Sequence, residues 1–225
     1  MKSVLPVLAL AVLPGAGDSQ ADEQLPRVLI IGDRVYQQPA NEVKKELKAK
    51  VDVVYATLAP DEVRNSETLL QDLDRLLGDG PWDLIHFNVG LGDLVYRAPG
   101  MKSFRVLPRQ VGGVRCTSVE QYEKNLRQLC DRLLATEARV VWASTTPIRH
   151  SSTNVFELGS EITYNKAAKR VMAEKKIPVN DMYQAVRDLI DMDRPASHGA
   201  DPFFFDRKPI HSPIVKIILT QLDLR

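Results

Sequence analysis

The first residues that could do chemistry follow an apolar run. Residues 28–31 read Val-Leu-Ile-Ile, and Gly32, Asp33 and Arg34 come directly after them. A buried strand that ends in Gly-Asp-X before a helix presents residue X at the carboxyl edge of an open α/β sheet, where such sheets bind ligands. Here X is an arginine, which has no hydroxyl for nucleophilic attack and stays protonated at any working pH. The stretch therefore predicts a site whose central group is a cation.

A second charged group lies near the C-terminal end of the chain. Lys208 and His211 stand just before Ser212 and Pro213, and a proline in this position is typical of a helix start. An imidazole can serve as a general base near neutral pH. His211 therefore has two interpretations, as a residue that faces a cleft or as a simple helix-entry residue.

The composition is that of an ordinary globular protein. The chain has 225 residues, of which 44% are hydrophobic and 26% are charged, with 30 basic and 29 acidic side chains. This balance gives no global electrostatic reason to expect nucleic acid or a membrane surface as partner. The partner that we expect is a small-molecule or carbohydrate ligand, with anionic ligands included, and we expect neither a cofactor nor a metal.

The N-terminal residues have the pattern of an export signal. Lys2 gives a positive end, residues 4–13 form a short apolar core, and residues 19–21 (Ser-Gln-Ala) form a small-x-small cleavage site. The core is too short to span a bilayer. The pattern predicts a signal peptide over residues 1–21, cleavage near Ala21, a single domain over residues 22–225, and a periplasmic or secreted protein.

The remaining chain alternates between strand and helix patterns. We predict strands at 27–32, 51–55, 82–88, 139–144 and 177–179, and helices at 39–50, from 65, at 118–136, within 159–175, at 181–191 and from 212. Residues 117–120 read as a capping box for the third helix. Strands joined by helices of this size favour right-handed crossovers and a parallel sheet. The predicted fold is an α/β three-layer sandwich with a flavodoxin-like five-stranded parallel sheet and helices on both faces.

Three connections are long enough to be functional, at residues 90–116, 145–159 and 192–211. We expect them to converge over the carboxyl edge of the sheet beside Arg34. They carry a set of basic residues: Arg97, Lys102, Arg105, Arg149 and Arg207. A cleft lined by guanidinium groups suits a carboxylate, sulfate or phosphate group.

Five strings in order resemble the SGNH/GDSL family of ester hydrolases, and most closely its exported bacterial carbohydrate-esterase-like branch. They are Ile-Gly-Asp at 31–33, Ile-His-Phe-Asn-Val-Gly-Leu-Gly-Asp-Leu at 85–94, Trp-Ala-Ser-Thr-Thr-Pro at 142–147, Tyr-Asn at 164–165, and Ile-His at 210–211. The resemblance implies a serine nucleophile after Gly-Asp, a late histidine base, and an acid three residues before it. It also implies an oxyanion hole built from the nucleophile's amide, a glycine amide and an asparagine side chain.

Most of that machinery does not match this chain. The resemblance gives the nucleophile's position to Arg34, the asparagine's position to Gly92 and the acid's position to Lys208, while residues 63–66 contain no glycine. Asp93 and His211 do match. Losing a triad serine alone costs many orders of magnitude in turnover, so these combined departures argue against serine-mediated hydrolysis.

Three hypotheses for function remain open. The first is an anion or carbohydrate-derived ligand bound in the ancestral cleft, with ligand-binding residues Arg34, Gly92, Asp93, Arg149 and Lys208. The second is an active hydrolase of non-standard mechanism, in which Asp33 or Asp93 works with His211 as catalytic residues. The third is a protein-interaction scaffold. Ser151, Ser152 and Cys116 are alternative nucleophiles, but none of them lies where the fold places its nucleophile.

Several of these residues also have structural interpretations. Arg34 could form an internal ion pair with Asp33, Asp93 or Asp206 in place of a ligand. His86 lies in an apolar strand and reads as a core histidine, and Asn88 and Asn165 as residues that bond loop backbone. Neither His150 nor His198 has metal-like spacing.

Overall fold

Short strands rich in β-branched residues form the centre of the molecule. The computed structural model describes residues 24–57, 63–101, 105–149, 155–193, 203, 205 and 207–225. Within these residues the strands are β1 (Arg27–Ile31), β2 (Asp52–Tyr55), β3 (Leu84–Phe87), β4 (Tyr96–Arg97), β5 (Val114–Arg115), β6 (Arg139–Ala143) and β7 (Val179–Asn180). The helices are α1 (Gln37–Leu47), α2 (Ser66–Leu77), α3 (Leu91–Leu94), α4 (Val119–Leu134), α5 (Ser160–Lys175), α6 (Met182–Leu189) and α7 (Ser212–Gln221).

The main sheet is parallel throughout. In the described part of the chain it has five strands in the order β2-β1-β3-β6-β7. This is the flavodoxin-like order, in which the switch point lies between the first and third strands. The predicted fold class is confirmed. Because all five strands run the same way, their carboxyl ends meet at one edge of the sheet.

Alternate residues of each central strand pack on opposite faces, as the period of a strand requires. In β1, Leu29 and Ile31 pack with α2, α4 and α5, whereas Val28 and Ile30 pack with α1, α6 and α7. Both faces are therefore covered by helices, and the strands are apolar on both sides, which is typical of parallel sheets.

Two details differ from the sequence prediction. The connection after β3 is not an irregular loop, because it holds α3, the antiparallel pair of β4 and β5, and a 3-10 turn at Arg109–Val111. The helix cap at α4 is shifted by one residue, since Ser118 rather than Thr117 is the N-cap and its hydroxyl accepts from the Gln121 amide. The predicted signal peptide, residues 1–21, lies outside the described residues.

The described helices include none that is long and apolar enough to cross a bilayer.

Both cysteines are free. Cys130 is buried, and its Sγ lies 4.0 Å from the Met172 Sδ.

The packing of α2 generates a stability prediction. Leu73 is fully buried between α2 and the sheet, whereas Leu134 at the end of α4 is 41% exposed. We expect Leu73→Ala to lower the free energy of unfolding by about 2–5 kcal/mol, because the lost methyl groups leave a cavity. Leu134→Ala should change it by less than about 0.5 kcal/mol. Urea unfolding of both variants measures the difference, and equal losses would contradict this account of the core.

Candidate functional site

Asp33 and Arg34 form a tight turn at the carboxyl end of β1. The Asp33 Oδ1 accepts from the Val35 amide at 2.9 Å and caps the 3-10 turn Arg34–Tyr36, which leads directly into α1. Gly32 is needed here because a Cβ would lie 2.6 Å from the Tyr36 Cβ. The turn leaves Arg34 exposed. Arg34 is exposed because the strand ends three residues earlier, at Ile31.

The Asp33 carboxyl is buried and only partly satisfied. Asp33 is 7% exposed, and its Oδ2 has no hydrogen-bond partner. Burial raises the pKa of Asp33 to about 6, against the opposing effects of the Val35 amide and the Arg64 guanidinium. Of the acids proposed as partners of Arg34, neither Asp33 nor Asp93 forms an ion pair with it. The third, Asp206, lies outside the described residues.

Arg64 is a buried cation behind this turn. It is 2% exposed, and its Nη1 donates to the carbonyl oxygens of Gly32 and Ala56, both at 2.9 Å. These two carbonyls follow β1 and β2, so one side chain bridges the carboxyl ends of adjacent strands. No sequence pattern marks Arg64 as a site residue, since residues 63–66 stand out in the sequence only by their lack of a glycine.

Gly92 and Asp93 are held in the interior by α2. A Cβ on Gly92 would lie 2.2 Å from the Arg64 carbonyl oxygen, so an asparagine cannot occupy this position without moving backbone. Asp93 is fully buried and accepts from the Ser66 amide at 2.9 Å and from the Ser66 hydroxyl at 2.6 Å. Burial raises the pKa of Asp93 to about 6. These contacts fix the start of α2. Asp93 therefore has a structural role here, whereas the sequence predicted that it contacts a ligand.

A cationic pocket lies on the α1 side of Arg34. It has a volume of about 280 Å³, and the charged residues among its described lining are Arg34, Glu42, Arg207, Lys208 and His211. Within that described lining, three cations and a histidine thus face one acid. Arg207 and Lys208 are exposed, and the backbone of Arg207 is left-handed at φ 55°, a conformation that costs energy for a residue with a Cβ. The pocket has the charge to hold an anionic group.

An apolar chamber lies on the other side of Arg34. Its volume is about 300 Å³, and most of its wall comes from apolar side chains: Val35, Leu91, Val95, Val106, Val155 and Phe156. Asp33, Arg64 and Gly92 also line it, and Arg34, Val35 and Phe203 belong to both cavities. The three long connections do meet beside Arg34, as predicted, because each contributes residues to this chamber.

His211 is directed to α1. Its Nε2 lies 3.3 Å from the Glu46 Oε2, and this side chain is 22% exposed. His211 lines the cationic pocket, whereas Asp33 lines the chamber. The predicted acid–histidine pair is therefore split between two cavities. Glu46 was not anticipated, because no sequence signal marks an exposed helical glutamate as the partner of a histidine 165 residues later.

Other predicted residues lie away from the two cavities. Arg149 is 9% exposed, and its Nη2 donates to the Asp191 carbonyl at 3.2 Å. Arg149, Arg97 and Arg105 are not among the described residues that line either cavity. Burial raises the pKa of the Cys116 thiol, which disfavours the thiolate that a nucleophile needs. Five predicted residues fall outside the described part of the chain: Lys102, His150, Ser151, Ser152 and His198.

The polar residues of the strands have structural partners, as expected. His86 is fully buried, its Nε2 lies 3.1 Å from the Asn180 Nδ2, and burial lowers its pKa to about 4. Asn88 donates to the Ala143 carbonyl at 2.9 Å, and Asn165 exchanges two hydrogen bonds with the Thr145 backbone, both at 2.8 Å. These contacts tie the carboxyl ends of β3 and β6 to their neighbours.

The chemistry available in the two cavities is limited by their residue types. None of the described residues that line either cavity is a serine, threonine or cysteine. The described residues also contain no group of three or more histidine, cysteine, aspartate or glutamate side chains placed to hold a metal. The described lining residues can bind an anion through arginine and lysine side chains. They also include one buried carboxyl, that of Asp33.

Comparisons with known proteins identify the fold. No family model matches the sequence, and no curated protein matches it significantly. Among solved structures, a lipase/acylhydrolase from Enterococcus faecalis superposes with a TM-score of 0.64 at 14% identity, covering 89% of this chain and 98% of the other. An acetylxylan esterase from Geobacillus stearothermophilus superposes with a TM-score of 0.62 at 14% identity, covering 89% and 95%.

A GDSL-like lipase from Bacteroides thetaiotaomicron gives a TM-score of 0.60 at 11% identity, covering 88% of this chain and 87% of the other. The chain therefore shares the α/β fold of SGNH-type ester hydrolases, as the resemblance implied.

The buried carboxyl of Asp33 generates a pH prediction. Its pKa is raised from 3.8 to about 6 in the folded chain, so between these values the folded state binds more protons than the unfolded state. Stability from this group is therefore present at low pH and lost as the pH rises through 6. Asp33→Asn keeps an acceptor for the Val35 amide. It removes the pH-dependent loss of stability, because an amide does not ionise. We expect the variant to gain about 1 kcal/mol relative to the native chain on going from pH 5 to pH 7.

Urea unfolding at the two pH values measures this effect. Asp79→Asn, at an exposed turn residue, is the matched control and should show no comparable gain. A pH-independent difference between Asp33→Asn and the native chain would show that Asp33 is not a buried, poorly satisfied carboxyl.

Proposed function

We propose that this chain is an exported protein with an SGNH-hydrolase fold that has lost serine-mediated ester hydrolysis and binds an anionic ligand. The observation that carries the proposal is the position of Arg34. It lies at the carboxyl edge of β1, where open α/β sheets bind ligands, and it lines a pocket with Arg207 and Lys208. Guanidinium groups bind carboxylate, sulfate and phosphate bidentately, and a neighbouring lysine adds charge.

The loss of hydrolysis is supported by three features of the same edge. The position that the resemblance gives to the serine holds Arg34, and no described lining residue supplies another hydroxyl or thiol. The Arg64 carbonyl closes the space beside Gly92, where the resemblance places the oxyanion asparagine. Lys208 stands where the resemblance places the acid, and the Nε2 of His211 is paired with Glu46. A triad needs all of these parts at once.

The class of ligand is supported by the fold neighbours as well as by charge. Two of the similar structures are named as acetylxylan esterases, so a carbohydrate-derived anion such as a sugar acid is one candidate. Export is a further part of the proposal, and it rests on the pattern of residues 1–21 alone.

A second candidate function is a hydrolase that uses Asp33 in place of serine. It is favoured by one observation, the buried Asp33 Oδ2 that has no hydrogen-bond partner. A carboxylate can act as a nucleophile or a general base. A third candidate, a protein-interaction scaffold without a small ligand, is the outcome expected if no anion binds.

Anion binding is tested by calorimetric titration and by thermal unfolding at constant ionic strength. We expect sulfate, acetate and glucuronate at millimolar concentration to raise the melting temperature, because a ligand that binds only the folded state stabilises it. Arg34→Gln and Lys208→Gln should each weaken binding about ten-fold, as loss of a charge-assisted hydrogen bond predicts. Arg75→Gln, an exposed arginine on α2, is the matched control. Equal binding by all three variants would refute the proposed site.

Hydrolysis is tested with aryl acetates and acetylated sugars. We expect no turnover above that of a His211→Ala variant, and no gain from Arg34→Ser, because the oxyanion position at Gly92 stays closed. Turnover by the native chain that His211→Ala or Asp33→Asn abolishes would overturn the proposed loss of catalysis and support the second candidate.

A further inference from the structure

We propose that the ligand is an amphipathic anion whose acidic head lies in the cationic pocket and whose hydrocarbon tail fills the apolar chamber. This inference rests on the proposed anion site and adds the chemical class of its ligand. Its basis is the juxtaposition of two cavities of opposite character at one arginine.

The two cavities are neighbours that one molecule can span. Arg34, Val35 and Phe203 line both of them, so the boundary between them consists of these shared side chains. The cavities have similar volumes, about 280 and about 300 Å³, each at the lower end of the range for small-molecule sites. A ligand with its head at Arg34 therefore has its next atoms at the mouth of the chamber.

The chamber is suited to hydrocarbon and poorly suited to sugar. Its walls are formed largely by Leu91, Val95, Val106, Val155 and Phe156, which offer no hydrogen-bonding side chains. A sugar has several hydroxyl groups, and those placed against these apolar walls, away from the Asp33 carboxyl, would lose their water partners without replacement, which costs free energy. Transfer of alkyl groups from water to such a surface is favourable in proportion to the area buried.

The buried charges set the direction in which the ligand lies. Asp33 lines the chamber, and its carboxylate would repel an acidic head placed there. Arg64 also lines the chamber, but its Nη1 is committed to the carbonyls of Gly32 and Ala56. Arg207 and Lys208 line only the cationic pocket. The head therefore lies on the side of Arg207 and Lys208, and the tail on the side of Leu91 and Val106.

The test measures the dissociation constants of unbranched carboxylates, from acetate through butanoate and hexanoate to octanoate, with the native chain. Burial of each methylene is worth about 0.8 kcal/mol, so we expect binding to tighten about four-fold per added carbon until the chamber is full. Glucuronate, which has the same charge and no tail, should bind no better than acetate.

A pair of matched variants locates the tail. Val106 lines the chamber and is 48% exposed, whereas Val111 lies in the same connection, is 65% exposed and does not line it. We expect Val106→Trp to weaken octanoate binding at least ten-fold and to leave acetate binding unchanged, because the indole fills the mouth of the chamber. Val111→Trp should bind both ligands as the native chain does.

The outcomes separate this inference from the proposed function. Carboxylates that bind with the same affinity at every chain length would overturn the inference and leave the anion site standing. Glucuronate that binds more tightly than octanoate would do the same and favour a carbohydrate ligand. Failure of every carboxylate and of sulfate to bind would overturn both. The chain-length series uses the native chain, so the inference stays falsifiable even if Val106→Trp does not fold.

Discussion

The carboxyl edge of the sheet depends on the buried guanidinium of Arg64. Its Nη1 donates to the carbonyl oxygens that follow β1 and β2, so it satisfies two backbone acceptors where the strands diverge. The same residue opposes the rise in the pKa of Asp33, and its own carbonyl packs against Gly92. A cation with 2% exposure is tolerated only when such partners are present. The geometry around Arg34 follows from this arrangement.

The second constraint on this edge is the buried network that starts α2. Asp93 accepts from the amide and hydroxyl of Ser66, and Asn125 on α4 donates to the same hydroxyl at 2.9 Å. Asn65 completes a capping box with Thr68 at the start of the helix. This network places Arg64, immediately before it, under the sheet edge. The buried carboxylate of Asp93 therefore serves packing in this chain.

The two cavities at the sheet edge differ in the charge and polarity of their lining residues. On one side, cations outnumber acids among the described lining residues, a charge balance that favours an oxyanion. On the other side, most of the described lining side chains are apolar. Ester hydrolysis needs a nucleophile, a base and oxyanion donors around a single carbonyl carbon. Here His211 lines the cationic pocket and pairs with Glu46, whereas Asp33 lines the apolar chamber.

The sequence by itself determined the sheet, its parallel direction and the edge at which the site lies. Apolar strands of about five residues, separated by amphipathic helices, allow few other arrangements, and the turn after Ile31 marks the edge locally. It also indicated the structural roles of His86, Asn88 and Asn165, because buried polar side chains must find hydrogen-bond partners nearby.

Only the tertiary structure decided what surrounds Arg34. The exposure of Arg34, the pairing of His211 with Glu46 and the burial of Arg64 depend on contacts between residues far apart in sequence, which local patterns do not encode. The division of the edge into a cationic pocket and an apolar chamber arises in the same way. It requires side chains from three separate connections to meet beside one arginine.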